Sequence, residues 1–278
     1  MKAFCAGIVT YNPDIHRLRE NISSIIRQVD HIVICDNGSR NINSIKEIIM
    51  SFPIRVIELN ENMGIAYALN KICEISIELG YEWVLTLDQD SVSPVNLIKK
   101  LAEYANRNDV AIVSPEIIYR NNEKYSEREY GNSFDEVEWT ITSSSLTNLN
   151  VWKKINGFDN KLFIDMVDYD YCVRARMAGF KVIRVHTVGL NHELGKLYCK
   201  RILGRVVHIT NHSAFRYYYM ARNNMILKKK LGVGKPIVEN LKLIIKIIFF
   251  EDSKKEKVIS IIKGIRDYKE YFKEDIEI

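Results

Sequence analysis

Five short β-rich runs, separated by segments long enough to form helices, occupy the first 113 residues and constrain the fold more than any other feature. They are Ala3–Val9, His31–Cys35, Arg55–Leu59, Trp83–Leu87 and Val110–Val113. Such alternation predicts a parallel α/β sheet. Between the third and fourth runs, Gly64–Leu79 places Ile65, Leu69, Ile72, Ser76 and Leu79 on one stripe with Ala68 and Ile75 beside it, the period of an amphipathic helix. Residues 119–138 are polar, charged and rich in tyrosine, which reads as an irregular excursion or a hairpin.

From about Asn211 the pattern becomes helical: His212–Leu231, Pro236–Phe250 and Lys254–Phe272, divided at Gly232–Pro236 and at Glu251–Ser253. The 278 residues therefore divide into a main domain over 1–210 and a helical extension over 211–278. Lys plus Arg (40) exceed Asp plus Glu (35) only mildly, which suits anionic ligands or an anionic membrane surface and does not argue for nucleic acid. Five widely spaced cysteines without a CxxC pair point to a reducing compartment. No signal-like segment opens the chain, and the apolar stretch Ile237–Phe250 is interrupted by Glu239, Lys242 and Lys246. The expected location is cytoplasmic, either free or peripheral on the inner face of the cell membrane.

In open α/β sheets, ligands bind beyond the carboxyl ends of the strands. Four polar segments follow strand runs: Thr10-Tyr11-Asn12-Pro13, Asp36-Asn37-Gly38-Ser39, Asn60-Glu61-Asn62-Met63-Gly64 and Asp88-Gln89-Asp90. On an extended backbone, Asp88 and Asp90 point to one side and can share a hard divalent cation, Mg²⁺ or Mn²⁺, whose shell a diphosphate completes. The alternative reading of the pair is a strand end capping the next helix. Asp36-Asn37-Gly38-Ser39 is good turn chemistry, and its functional reading has Asp36 accept the imide N–H of uracil or thymine. Asn62 through Ala66 reads either as a helix cap or as backbone N–H groups presented to a ligand.

These segments, with Asn70, resemble in order and spacing the family 2 glycosyltransferases, inverting enzymes of the GT-A fold, and within them the bacterial rhamnosyltransferases. Asn156-Gly157-Phe158-Asp159, Leu162-Phe163-Ile164-Asp165 and Asp168-Tyr169-Asp170-Tyr171-Cys172-Val173-Arg174 continue the similarity, as do Ala178-Gly179-Phe180, His192-Glu193-Leu194-Gly195, Tyr218-Tyr219-Met220-Ala221-Arg222-Asn223 and Ile261–Asp267. The resemblance implies a GT-A α/β sandwich with a helical C-terminal extension. It implies Asp168 as the catalytic base, because Val167 stands where many relatives carry the first acid of a Glu-Asp pair, with Asp165 as its rival. Asp170 and Arg174 have the spacing of a helix-surface ion pair.

Donor contacts fall to Thr10, Tyr11, Asn12, Asp36, Asn37, Gly38, Asn62, Gly64, Asp88 and Arg222, metal contacts to Asp88, Asp90 and His192. Trp139, Ser143, Ser144 and Asn156–Phe158 fall on the acceptor side. The implied reaction moves L-rhamnose from dTDP-rhamnose to a cell-surface glycan or its lipid-linked precursor. Alternatives are a transferase of UDP-sugars, a nucleotidyltransferase and a non-catalytic sugar-nucleotide-binding protein. Thr10–Pro13 lacks the glycine-rich basic loop that a triphosphate would need. Lys242, Lys246, Lys254, Lys255, Lys257, Lys263, Arg266 and Lys269, mixed with Ile, Leu and Phe, read either as solvated lysines on a packed helical layer or as a surface for anionic lipid.

Overall fold

A computed structural model describes residues 3–50, 52–119, 133–192, 198–202 and 205–273, with the backbone alone described at 117–119, 187–192, 198–202 and 205–208. The strands are β1 Cys5–Thr10, β2 His31–Asp36, β3 Ile54–Glu58, β4 Trp83–Asp88, β5 Val110–Tyr119, β6 Phe134–Glu136, β7 Ser145–Asn148, β8 Lys181–His192, β9 Tyr198–Ile202 and β10 Arg205–Ile209. The helices are α1 Ile15–Ile25, α2 Ile42–Ile49, α3 Ile65–Glu78, α4 Leu97–Ala102, α5 Leu149–Lys154, α6 Val167–Met177, α7 Ala214–Leu231, α8 Pro236–Phe250 and α9 Lys254–Asp267, with a 3₁₀ turn over Tyr268–Phe272. The excursion expected over 119–138 contributes β6, and its residues 120–132 lie outside those described.

By contacts the chain forms two compact units, 1–160 with 167–193, and 161–166 with 194–278. In the first, eight strands run in the order β3-β2-β1-β4-β7-β5-β8-β6. The sheet is mixed rather than wholly parallel, because β7 pairs antiparallel with both β4 and β5, and β6 antiparallel with β8. The sequence misses β7 because Ser145-Leu146-Thr147-Asn148 carries a single large apolar residue. All four of its residues are nevertheless buried.

Strand periodicity builds the two helical layers. Phe4 and, in β1, Ala6 and Ile8 share one apolar core with Leu18, Ile22 and Ile25 of α1, Ile45 and Ile48 of α2, and Leu97, Ile98 and Leu101 of α4. The intervening Gly7 points to the other face, against Ile72 of α3. There Leu69, Ile72 and Ser76 of the expected stripe are buried with Ala68; Ala66 and Cys73 join them, and Leu79 past the helix end is exposed. Burial pushes the Cys5 thiol up to about 11 and those of Cys35 and Cys172 up to about 12, so these cysteines are packing groups and not nucleophiles.

In the second unit, α7, α8 and α9 pack around Tyr217, Ala221, Ile247 and Ile261. A Cβ on Gly264 would lie 2.3 Å from the Tyr218 carbonyl oxygen, so glycine permits the close crossing of α9 on α7. Burial alone would raise the pKa of Glu251, but the Tyr217 hydroxyl, Lys257 and Lys246 outweigh it and hold the carboxylate below its ordinary range. Among the described residues, no helix is long and apolar enough to cross a membrane.

His212, in the same unit, is held neutral. Burial first, then Arg216 and Lys246, push its pKa down to about 4 against the opposing pull of Asp165 and Glu251. The unfolded chain therefore binds more protons than the folded one between about 6.5 and about 4. Stability that is fully present above that window is lost as pH falls through it. Denaturant midpoints measured across the window should fall more steeply for the native chain than for His212→Gln, and parallel curves would contradict the assignment.

Candidate active site

Register places the ends of β1, β2, β3 and β4 side by side, with Thr10 beside Asp36 and Asp36 beside Glu58, and Val9 beside Asp88. The polar segments that follow are then laced together. Asp36 is buried, and its Oδ1 accepts from the Thr10 hydroxyl (2.8 Å) and the Ser39 hydroxyl (2.6 Å), its Oδ2 from the Ser39 N–H (2.8 Å). Those three donors occupy three of the roughly four lone-pair positions of a carboxylate. The Ser39 hydroxyl accepts from the Asn12 N–H at 2.7 Å, and Asn12 Oδ1 accepts from the Arg40 N–H at 2.8 Å. Gly38 closes this turn at φ +80°, and a Cβ there would lie 2.7 Å from the Glu61 carbonyl carbon, which excludes a larger residue.

Asn37 and Asn62 join the second and third segments. Asn37 Nδ2 donates to Asn62 Oδ1 at 2.9 Å, Asn37 Oδ1 accepts from the Met63 N–H at 2.9 Å, and Asn62 Oδ1 also accepts from the Gly64 N–H at 3.0 Å. The residue at the N-cap of α3 is Gly64, at φ 87°, and not Asn62. The Tyr11 N–H donates to Gln89 Oε1 at 2.8 Å, tying the first segment to the fourth. Thr10, Tyr11, Asn12, Asp36, Asn37, Gly38, Asn62, Gly64 and Asp88 are thus brought to one edge.

Asp88 ends β4 half-buried, while Asp90 is exposed on the turn beyond, where the Ser91 N–H reaches the Asp88 carbonyl at 3.2 Å. The alternation argument for a shared side therefore fails at Asp90, because the backbone has left the extended conformation. The helix-capping reading fails too, since the N-cap of α4 is Asn96. The main chain of Asp88 is fixed on both sides: Asn21 Nδ2 donates to its carbonyl at 2.6 Å and its N–H meets Ser143 Oγ at 3.4 Å.

Residues 142 and 143 connect this turn to α6. Ser143 Oγ lies 2.7 Å from Ser91 Oγ, the Thr142 carbonyl accepts from the Thr86 hydroxyl at 2.6 Å, and the Thr142 hydroxyl donates to Asp168 Oδ1 at 3.1 Å. Asp168 stands half-buried in the first turn of α6, and its neighbour Tyr169 meets the exposed Trp139 edge-on at 6.1 Å. Thr142 and Ser91 escaped the sequence reading, since a serine and threonine run carries no periodic or motif signal.

Asp165 does not continue the α6 helix one turn earlier. It lies at φ +62°, between Phe163 at +66° and Met166 at +62°, in the segment 161–166 that belongs to the second unit. There both of its oxygens accept from Arg216, at 2.9–3.2 Å. Asn223 Nδ2 reaches the carbonyls of Leu162, Ile164 and Asp165, and Arg222 Nη2 donates to those of Lys161 and Leu162. The Arg222 guanidinium also lies 4.6 Å from the Tyr219 ring centroid, and its described bonds brace this strained segment.

The Asp170–Arg174 pair forms, at 2.7 Å, but not on the helix surface: Asp170 is fully buried, and Arg174 also donates to the Ile155 and Gly157 carbonyls at 2.6 and 2.7 Å. It clamps the Asn156-Gly157 turn. His192 ends β8, and its side chain lies outside the described residues, as does the rest of the His192–Gly195 element.

The mixed α/β sheet with this laced carboxyl edge is a GT-A fold, shared with the solved structures named below. The chain belongs to glycosyl transferase family 2, whose model matches residues 5–184. It is 30% identical over 240 residues, 81% of this chain and 79% of the relative, to the dTDP-rhamnosyl transferase RfbF of Shigella flexneri. Among solved structures it is similar to the mannosyltransferase PcManGT from Pyrobaculum calidifontis in complex with GDP-Man and Mn²⁺ (TM-score 0.60, 14% identity, 96% of this chain and 75% of that one). It is also similar to S. aureus TarS 1–349 in complex with UDP-GlcNAc (TM-score 0.59, 16% identity, 96% and 80%).

Proposed function

We propose that this family 2 transferase is an inverting, metal-dependent rhamnosyltransferase, moving L-rhamnose from dTDP-rhamnose to a bacterial cell-surface glycan or its lipid-linked precursor. The observation that carries the mechanism is the Thr142-Ser143 bridge, which couples the carboxylate of Asp168 to the Asp88–Ser91 turn. The donor assignment is supported by the likeness to the dTDP-rhamnosyl transferase.

In this reading Asp36 accepts the imide N–H of the base through its remaining lone pair, held in place by Thr10 and Ser39. Asn37 and Asn62 set the loop that opens α3, where Gly64 lets the backbone approach the donor. Asp90, exposed on the turn, and Asp88, half-buried at the end of β4, offer hard oxygen ligands of the kind that Mg²⁺ or Mn²⁺ takes. The bound cation would supply positive charge against the negative charge of the departing diphosphate. Asp168 takes the proton from the acceptor hydroxyl as attack proceeds, and a single displacement inverts the configuration. All of these residues lie within 1–210; 211–278 is the helical extension.

Thymine and uracil present the same imide N–H, so the test spans both nucleotides. Purified protein is incubated with thymidine and uridine diphosphate sugars, with Mn²⁺, Mg²⁺ or chelator, and release of nucleoside diphosphate is measured. Chelator-sensitive release from dTDP-rhamnose is expected, and Asp90→Ala should weaken metal-dependent donor binding by roughly tenfold or more. Release from a UDP-sugar alone would refute the rhamnose assignment. Donor binding without release, alone or with any acceptor tried, would favour a non-catalytic binding protein.

A further inference from the structure

Helix α8 carries two apolar faces, and the fold uses only one. Asn240 and Ile247 are buried, with Leu243 and Ile244 beside them, and this face joins the core of α7 and α9. Asn240 locks the contact by accepting from Asn224 Nδ2 at 2.9 Å and donating to the Ala221 carbonyl at 3.3 Å. On the remaining surface Ile237, Val238, Leu241, Ile245, Ile248 and Phe249 stay exposed, by 45% to 78%. At 3.6 residues per turn these six side chains fall within one arc of about 120°, so they form a continuous stripe.

The stripe has a basic border. Lys242 lies beside it on the helix and is exposed, with Lys235 and Lys254 just beyond the two ends. Helix α9, packed against α8, exposes Ile259 and Ile262 interleaved with Lys255, Lys263 and Arg266. The structure also trims the basic surface expected from sequence. Lys257 is buried and Lys246 half-buried, both paired with Glu251 at 2.9 and 3.4 Å, so neither contributes to this surface. Lys242 and Arg266 are paired too, with Glu239 at 2.9 Å and Asp267 at 3.0 Å, and Glu256 is exposed on α9, so the outside is apolar with an excess of cations over acids.

We infer that the exposed face of α8, with the basic and apolar face of α9, docks on an anionic lipid surface. An apolar stripe edged with lysine is the pattern of a helix lying in the headgroup region of a bilayer. Charge complementarity selects this occupant. A second copy meeting the same face about a twofold axis would set one cationic border against the other, which is repulsive. The inference does not depend on the identity of the donor sugar. If the acceptor is lipid-linked, it places the transferase on the membrane that carries it.

The full chain is sedimented with vesicles of phosphatidylcholine alone and of phosphatidylcholine with phosphatidylglycerol. Binding is expected only to the anionic vesicles and should fall with added salt. Leu241→Glu with Phe249→Glu should abolish it, and Lys255→Gln or Lys263→Gln should each weaken it about fivefold. Donor hydrolysis and the circular dichroism spectrum should be unchanged in all variants, since these side chains face solvent. Equal recovery in the supernatant with and without anionic vesicles would overturn the inference. So would sedimentation equilibrium showing a dimer that Leu241→Glu with Phe249→Glu dissociates, which would give the face to a second copy of the chain.

Discussion

Replacing Asp168 by Asn is expected to lower sugar transfer by about 10²–10⁴-fold while leaving donor binding intact. The variant side chain keeps its shape, and the Thr142 hydroxyl that now donates to Asp168 Oδ1 at 3.1 Å can donate equally to an amide oxygen. In the proposed mechanism the variant loses the group that accepts the acceptor's proton. Donor affinity by calorimetry and transfer by product formation separate the two effects, and transfer surviving in Asp168→Asn would remove it from the base role. Asp165→Asn is the companion variant. Both oxygens of Asp165 accept from Arg216, so this change should loosen the 161–166 segment.

Asn70→Leu should cost about 2–6 kcal/mol of stability, a large part of the margin of a marginally stable domain. The Asn70 amide is buried and fully employed: Nδ2 donates to the Phe158 carbonyl (2.8 Å) and Asn160 Oδ1 (2.7 Å), and Oδ1 accepts from the Phe158 N–H (2.8 Å) and Trp152 Nε1 (3.0 Å). Leucine takes the Asn70 partners away from the Phe158 N–H and carbonyl, each at about 1–3 kcal/mol, whereas Trp152 can turn towards solvent. Phe158 stacks on Tyr171 of α6 at 4.4 Å, so the loss would reach the helix that carries Asp168. A lower denaturant midpoint with unchanged slope is the expected signature, with Asn70→Asp intermediate because it keeps the acceptor. An unchanged midpoint for Asn70→Leu would show that the hub carries no net stability.

Much of the first unit was legible in advance. The strand runs at His31, Arg55 and Trp83 and the stripe from Ile65 to Ser76 are local patterns, legible from residues close in the chain. The polar segments after each run could be placed on one edge because parallel strands put their carboxyl ends together. Strand β7 was not legible, because it is buried between neighbours that supply the apolar surface it lacks. Nor was the turn at Gln89-Asp90, where one change of backbone conformation cancels the two-residue alternation.

By itself the sequence determined the alternating α/β pattern, the amphipathic α3, the Gly38 turn and the presence of carboxylates after β4, since each depends on interactions among residues close in the chain. Tertiary structure decided the partners. It gave Asp165 to Arg216 and Asp168 to Thr142, buried Asp170 with Arg174, drew Lys257 inward to Glu251, and left one apolar face of α8 uncovered. Those outcomes depend on contacts between residues far apart in the chain. No local spacing records which distant donor reaches a carboxylate or which of two apolar helix faces the core will take.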